Sequence, residues 1–429
     1  MRNDHPTLET LARWLAGELE HEQVRLELAP HFLENCPVCR AMREEIDRLL
    51  AESGHWDEAV AVVETREAPE RLLLLGEGPH AERMRRADEM EELHTWGVCQ
   101  LLLEKVRDQV FSDPSAAVET AHLAVRLAEH LGESYHPDWV LELRALAFAR
   151  LGNARRVLGE LQGADDAFLL AEEYLARGGV GDSRIAAEVL SLKGSLRLDQ
   201  RRFDEAQDLI ERSLDLSRKA GDSVGVAKGR LQKSKLLNQR GDVAQAITVL
   251  QETASEIDPA REPVLFARAR QNLLFSLSLA GRYEEASRLL DELREPLRVL
   301  AEPLDGLRLR WTEANIAQGL GRLGEAEEGY RKVQRELLDF GSGLDVALVS
   351  LDLATLLLEQ GRTEELKRLA AEVLVVFDSR EFHSEAVAAL LLFQKACAEE
   401  RITSELIRQI AAELRRERRR NGGCGCQPL

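Results

Sequence analysis

Two sets of side chains in this sequence have the type and spacing to do chemistry. The first is Cys36-Pro-Val-Cys39, with His31 shortly before Cys36 and His5 well ahead of both. Two cysteines two positions apart in this way can aim both thiolates at one ion from a tight turn. Two thiolates with two imidazoles form a soft-to-borderline donor set that suits tetrahedral zinc. Four protein ligands would close the shell, so such an ion would be structural, with no open position for water. The same pair also reads as a reduced, metal-free Cys-x-x-Cys at a helix start, with redox chemistry of its own. The second set is cationic. Lys228, Arg268 and Arg308 recur at one fixed interval, and Arg230, Arg270 and Arg310 recur at the same interval. A stripe of such groups accepts carboxylates, through the guanidinium fork where it is Arg. Its plainer reading is ion pairing with acidic neighbours such as Glu284, Glu285, Glu325 and Glu327, a kind of contact that is common and weak on surfaces.

Nothing else in the chain points to a reaction. There is no Gly-rich phosphate loop, no His-Glu-x-x-His and no Gly-x-Ser-x-Gly, so the residue patterns that carry phosphoryl transfer, zinc hydrolysis or acyl transfer are absent. The chain of 429 residues has a formal net charge of −19, which argues against general nucleic-acid binding, since that needs a basic face. The longest apolar run, from Ala386 to Phe393, is too short to cross a membrane and suits a buried helix. The first residues lack an apolar signal core. Six cysteines, scattered from Cys36 to Cys426, do not make a disulfide framework. A cytoplasmic location is the expectation.

The elements that must position the cationic columns repeat. Gly241, Gly281, Gly321 and Gly361 follow one another at the interval of the cationic columns, and at a constant step after each comes Ala246, Ala286, Ala326 or Leu366. Ala206 stands one period earlier, with Arg201 where the glycine would be. A third column reads Phe203, Val243, Tyr283, Leu323 and Thr363. A run such as Phe266–Ala280 has apolar residues at three and four and no proline, which reads as helix. Glycine then turns the chain, and the stretch from Glu284 to Leu293 reads as the second helix of a pair, with Ala286 small enough for close approach. Residues 65–90 are charged and contain Gly76-Glu-Gly78-Pro79, which reads as a loop or linker. The dipeptide Gln162-Gly163 reads as a turn between helices.

The sequence of a turn glycine, an apolar residue two on and an alanine five on resembles the tetratricopeptide repeat, from about Met90 onward. That family ordinarily runs at about 34 residues per repeat. The step from Gly281 to Gly321 is longer, which implies longer helices or loops. The resemblance implies an all-α, right-handed α-solenoid of helical hairpins whose first helices line a concave surface. It therefore implies a non-enzymatic scaffold that binds a protein or peptide partner there, an acidic one if a cationic column faces the groove. Residues two apart on a helix point about 200° apart, so only one of the two columns can face it.

The segment 1–51 is different in kind. Helical runs flank the motif His31…Cys36-Pro-Val-Cys39, a layout that resembles the zinc-binding anti-sigma domain. There a first ligand precedes a His-x-x-x-Cys-x-x-Cys motif behind a helical pair. Here the His-to-Cys spacing is one position longer and the first ligand would be His5, so the helix must end or bend before Cys36, where Pro37 stands. The resemblance implies one structural zinc held by His5, His31, Cys36 and Cys39, and, as an alternative function, a transcription regulator whose N-terminal segment sequesters a sigma factor. The expected organisation is a zinc-binding-like helical domain over 1–51, a degenerate helical unit and linker over 52–89, a solenoid over 90–420 and a disordered tail with Cys424 and Cys426 over 421–429.

Overall fold

The structure, a computed structural model, describes residues 37–38, 40–41, 56–132, 135–178, 183–293, 303–339, 343–378 and 384–420. Among them the elements are helices and the turns that join them, with no strand. The motif residues His5, His31, Cys36 and Cys39 and the tail 421–429 lie outside the described residues. The described helices fall into two compact units, one drawn from Met1–Ala154 and Asp165–Val189, the other from Arg155–Ala164 and Leu190–Leu429.

In the first unit the helices are α1 (Trp56–Leu72), α2 (His80–Glu89), α3 (Trp96–Gln109), α4 (Pro114–His130) and most of α5 (Pro137–Leu158) and α6 (Leu161–Arg177). Helix α3 packs on both α1 and α4, and α2 packs on α4. The approach of α3 to α1 requires glycine: a Cβ at Gly97 would collide with the Glu64 backbone. Glu64 is buried there, and its carboxylate accepts from the Tyr135 hydroxyl at 2.7 Å and from the Gly97 N–H at 3.3 Å. Burial, with the Glu64 charge beside it, pushes the Cys99 thiol far above its ordinary range. Cys99 is thus a core residue and not a nucleophile. Asp113 caps α4, with Pro114 at the first helical position.

The charged stretch 65–90 is largely helical rather than a linker, since α1 runs to Leu72 and α2 fills 80–89. Its charges are spaced to support a helix: Arg85 pairs with Glu82 and Glu89, and Arg86 with Glu82, each pair three or four positions apart. The turn between α5 and α6 sits at Gly159, with φ +101°, and Gln162-Gly163 belongs to α6.

In the second unit, hairpins follow one another in chain order. After α7 (Ser183–Asp199) come α8 (Phe203–Lys219), α9 (Ser223–Arg240), α10 (Val243–Glu256), α11 (Pro263–Leu279), α12 (Tyr283–Leu293), α13 (Pro303–Gly319), α14 (Leu323–Asp339), α15 (Gly343–Glu359), α16 (Thr363–Asp378), α17 (Ser384–Ala398) and α18 (Ser404–Arg420). Each first helix, α9, α11, α13 or α15, packs on the second helix that follows it and on the one that precedes it. The first helices also lie side by side: α9 on α11, α11 on α13, α13 on α15. This is an all-α solenoid of tetratricopeptide-like hairpins.

The repeated columns explain the turn and the packing. Gly241, Gly281, Gly321 and Gly361 all have φ between +68° and +93°, the left-handed region that glycine enters without a Cβ penalty. At each turn the glycine N–H bonds back three positions and the next N–H bonds back five, as in Arg282 N–H to Leu277 O at 2.9 Å, which closes the helix end. Arg201 makes the same turn at φ +59°, with its guanidinium over the Phe203 ring. The alanines Ala206, Ala246, Ala286 and Ala326 are all 0% exposed. A side chain of that size lets the two helices of a hairpin meet closely. At the C-terminal end α18 packs on both α15 and α17, and its Ile407, Ile410 and Leu414 join the core.

Candidate functional site

The second unit presents a layer of parallel first helices, and both cationic columns stand on it. Arg230, Arg270 and Arg310 each turn toward the second helix of their own hairpin. Arg230 pairs with Glu256 at 2.6 Å, Arg270 with Glu292 at 3.2 Å and Arg310 with Glu336. These partners sit in the last turns of α10, α12 and α14. Three of the four acidic residues at the helix starts, which the sequence suggested as partners, are engaged elsewhere. Glu285 pairs with Arg282, Glu325 with Arg322, and Glu327 with Arg362 and Arg331. The reason is geometric: a second helix runs back along the first, so its end and not its start comes level with residues 230, 270 and 310.

Lys228, Arg268 and Arg308 lie about 200° around the helix from that column. They therefore stand on the side of each first helix opposite its Arg230, Arg270 or Arg310 ion pair. Lys228 is exposed, and Arg268 and Arg308 are partly buried and engaged by neighbouring groups. The helical faces beside this column carry polar rungs between neighbouring first helices. Gln232 donates to Ser195 Oγ at 2.8 Å and to the Ser191 carbonyl at 2.9 Å, and Asn238 donates to Ser276 at 2.9 Å. Further along, Trp311 Nε1 donates to Asp352 at 2.7 Å and Gln318 to Glu359 at 3.1 Å. Between α9 and α11 two amide oxygens, Asn238 Oδ1 and Asn272 Oδ1, are buried with no donor among the described residues. Buried acceptors of this kind ordinarily find a partner, which an ordered water can supply. Sequence reasoning missed these residues, and their signal was Gln271-Asn272 directly before the apolar run Leu273-Leu274-Phe275.

The electrostatics of the rungs are uneven. Burial pushes the Asp352 carboxyl above its usual value, while the charge of Arg415 and the Trp311 hydrogen bond pull it back. Tyr330 is fully buried except for its tie to Asn315 and Gln318, and burial drives its hydroxyl far above the usual phenol range. Among the described residues no group of three or more His, Cys, Asp or Glu side chains is arranged to hold a metal, and no helix is long and apolar enough to cross a membrane.

No family model matches the chain. A curated relative, cellulose synthase operon protein C of Xanthomonas axonopodis pv. citri (strain 306), is 26% identical over 233 residues, which is 47% of this chain and 15% of that protein. The chain thus spans only a small part of that relative's length. Among solved structures, aspartyl phosphate phosphatase F from Bacillus subtilis superposes with a TM-score of 0.52 at 10% identity, over 88% of this chain and 96% of that one. A Rap protein complexed with competence and sporulation factor gives 0.53 at 10%, over 73% of this chain and 88% of that one. A signal transduction ATPase with a tetratricopeptide repeat sensor from Pyrococcus horikoshii gives 0.53 at 13%, over 82% of this chain and 52% of that one. These likenesses are likenesses of fold.

Proposed function

We propose that the chain is a non-enzymatic docking scaffold that takes an acidic protein segment or peptide along the layer of first helices. The observation that carries this reading is the division of labour between the two columns. One pairs inside each hairpin with Glu256, Glu292 and Glu336, and the other, with the exposed Lys228 at its head and Arg268 and Arg308 engaged by neighbours, stands about 200° around the helix from it. In a chain of net charge −19, a cationic stripe on that side favours carboxylates through charge-assisted bonds. A protein of similar fold was solved in complex with competence and sporulation factor, so the architecture is one on which a partner can be held.

Fluorescence anisotropy with Glu- and Asp-rich peptides, beside the same peptides rewritten with Gln and Asn, tests the reading. Acidic peptides bind, with an affinity that falls as salt rises, and Lys228→Glu with Arg268→Glu weakens them while the fold survives. Equal binding of both peptide sets would reject it. The Cys36-x-x-Cys39 motif with His31 supports a second reading, in which residues 1–51 hold zinc and sequester a sigma factor. Removing those residues leaves the first activity intact and destroys the second.

A further inference from the structure

A cleft of about 380 Å³ opens at one corner of the second unit, where the end of α8, the start of α9 and the end of α10 meet. The link there is short. Only positions 220–222 join α8 to α9, against 257–262 between α10 and α11. The short link turns through Gly221 at φ +64° and has no length to fold over the corner. Val226 and Ala227 of α9 and Ile257 beyond α10 give the cleft an aliphatic side. Arg230 gives it a cation, and Thr253 and Glu256 stand beside that cation.

We infer that this cleft binds a small aliphatic carboxylate, with Arg230 receiving the carboxylate and Val226, Ala227 and Ile257 the hydrocarbon. Its volume lies within the range of about 300–1,000 Å³ usual for small-ligand pockets. Arg230 differs from the two residues that repeat it. Arg270 and Arg310 bury their Nε–H groups without an acceptor, whereas Arg230, with a side chain only 21% exposed, lines the cleft. Its bonded partner Glu256 has a side chain 59% exposed. An ion pair that exposed is weak, so an incoming carboxylate can share or take over the guanidinium, which has five N–H donors. The start of α9 at the same corner is already capped by the Asp222 carboxylate, which accepts from Gly225 N–H at 2.9 Å and lines the cleft, so the incoming carboxylate relies on Arg230 and not on the helix end. Because the Arg230 column stands about 200° around the helix from the Lys228 column, this site is separate from the peptide surface, and neither depends on the other.

The test uses the full chain, with isovalerate as probe and its neutral isostere isovaleramide as control, followed by calorimetry and by methyl NMR of Ile257 and Val226. Isovalerate binds saturably and shifts those methyls, and isovaleramide does not. Arg230→Gln weakens isovalerate about tenfold, the loss of one charge-assisted contact. Glu256→Gln strengthens it, because the competing carboxylate is gone. Circular dichroism of both variants establishes that the hairpins persist, and Arg230→Lys, which keeps the charge, retains part of the affinity. Equal binding of acid and amide, indifference to Arg230→Gln, or shifts that never saturate would each overturn the assignment.

Discussion

Reversing the charge of one residue in each cationic column separates the two faces of the first helices. Arg270→Glu removes three things at once. It breaks the ion pair with Glu292, whose carboxylate is 67% exposed, a contact worth about 0–1 kcal/mol. It removes the guanidinium from above the Phe266 ring, 5.7 Å away, worth about 0.5–1 kcal/mol at a site of this exposure. It also places a carboxylate opposite Glu292 and strips the arginine stem from the apolar surface it covers. Together these cost about 2 kcal/mol, or about 4–8 °C in melting temperature for a unit of this size. Lys228→Glu, on the exposed opposite face, leaves the melting temperature within about 1 °C, as surface changes ordinarily do. Thermal melts followed by far-ultraviolet circular dichroism decide the matter. If Lys228→Glu melts as low as Arg270→Glu, or if Arg270→Glu melts with the parent, the orientation of the columns is wrong and the docking face goes with it.

Other expectations follow from single contacts. Burial raises the Asp352 carboxyl above its ordinary value of 3.8, so the folded chain holds that proton more tightly than the unfolded one. The stability from this group is complete below pH 3.8 and is lost as pH climbs through the raised value, with a slope of at most about 1.4 kcal/mol per pH unit. Asp352→Asn keeps an acceptor for Trp311 Nε1 and flattens that slope; urea midpoints measured across the acid range show it, and an unchanged slope would count against the buried carboxyl. A Cβ at Gly319 would run into the Tyr283 ring, so Gly319→Ala costs about 1–3 kcal/mol; Tyr283→Ala in the same chain recovers part of it, and additive losses would show that the two do not touch. The full chain purified without chelator carries one zinc by elemental analysis, Cys36→Ser loses it, and a metal-free parent chain refutes the four-ligand set.

The hairpins were legible because their period is written in small residues. Gly281 and Ala286 have little choice of environment: one must enter the left-handed region and the other must sit where helices meet. Arg201, in the glycine column, was legible only by its period, since its side chain does not announce a positive φ. The stretch 65–90 was misread because charge and glycine suggest a loop, while the pairing of Arg85 with Glu82 and Glu89 that holds it helical depends on register. Within the site, the columns themselves stood out, but their facing did not. Only the level at which a second helix ends decides whether Arg270 meets Glu292 or Glu284, and that follows from packing. The corner cleft was hidden for a similar reason, since it forms where three helix ends meet and not at any motif.

The ties from Arg230 to Glu256, Arg270 to Glu292 and Arg310 to Glu336 each begin and end within a single hairpin. A gene that duplicated or dropped one whole hairpin would therefore carry each counter-ion along with its ion. For these three pairs the array can lengthen or shorten over evolutionary time without stranding a charge, whereas a tie such as Glu327 to Arg362 crosses from one hairpin to the next and would lose its partner.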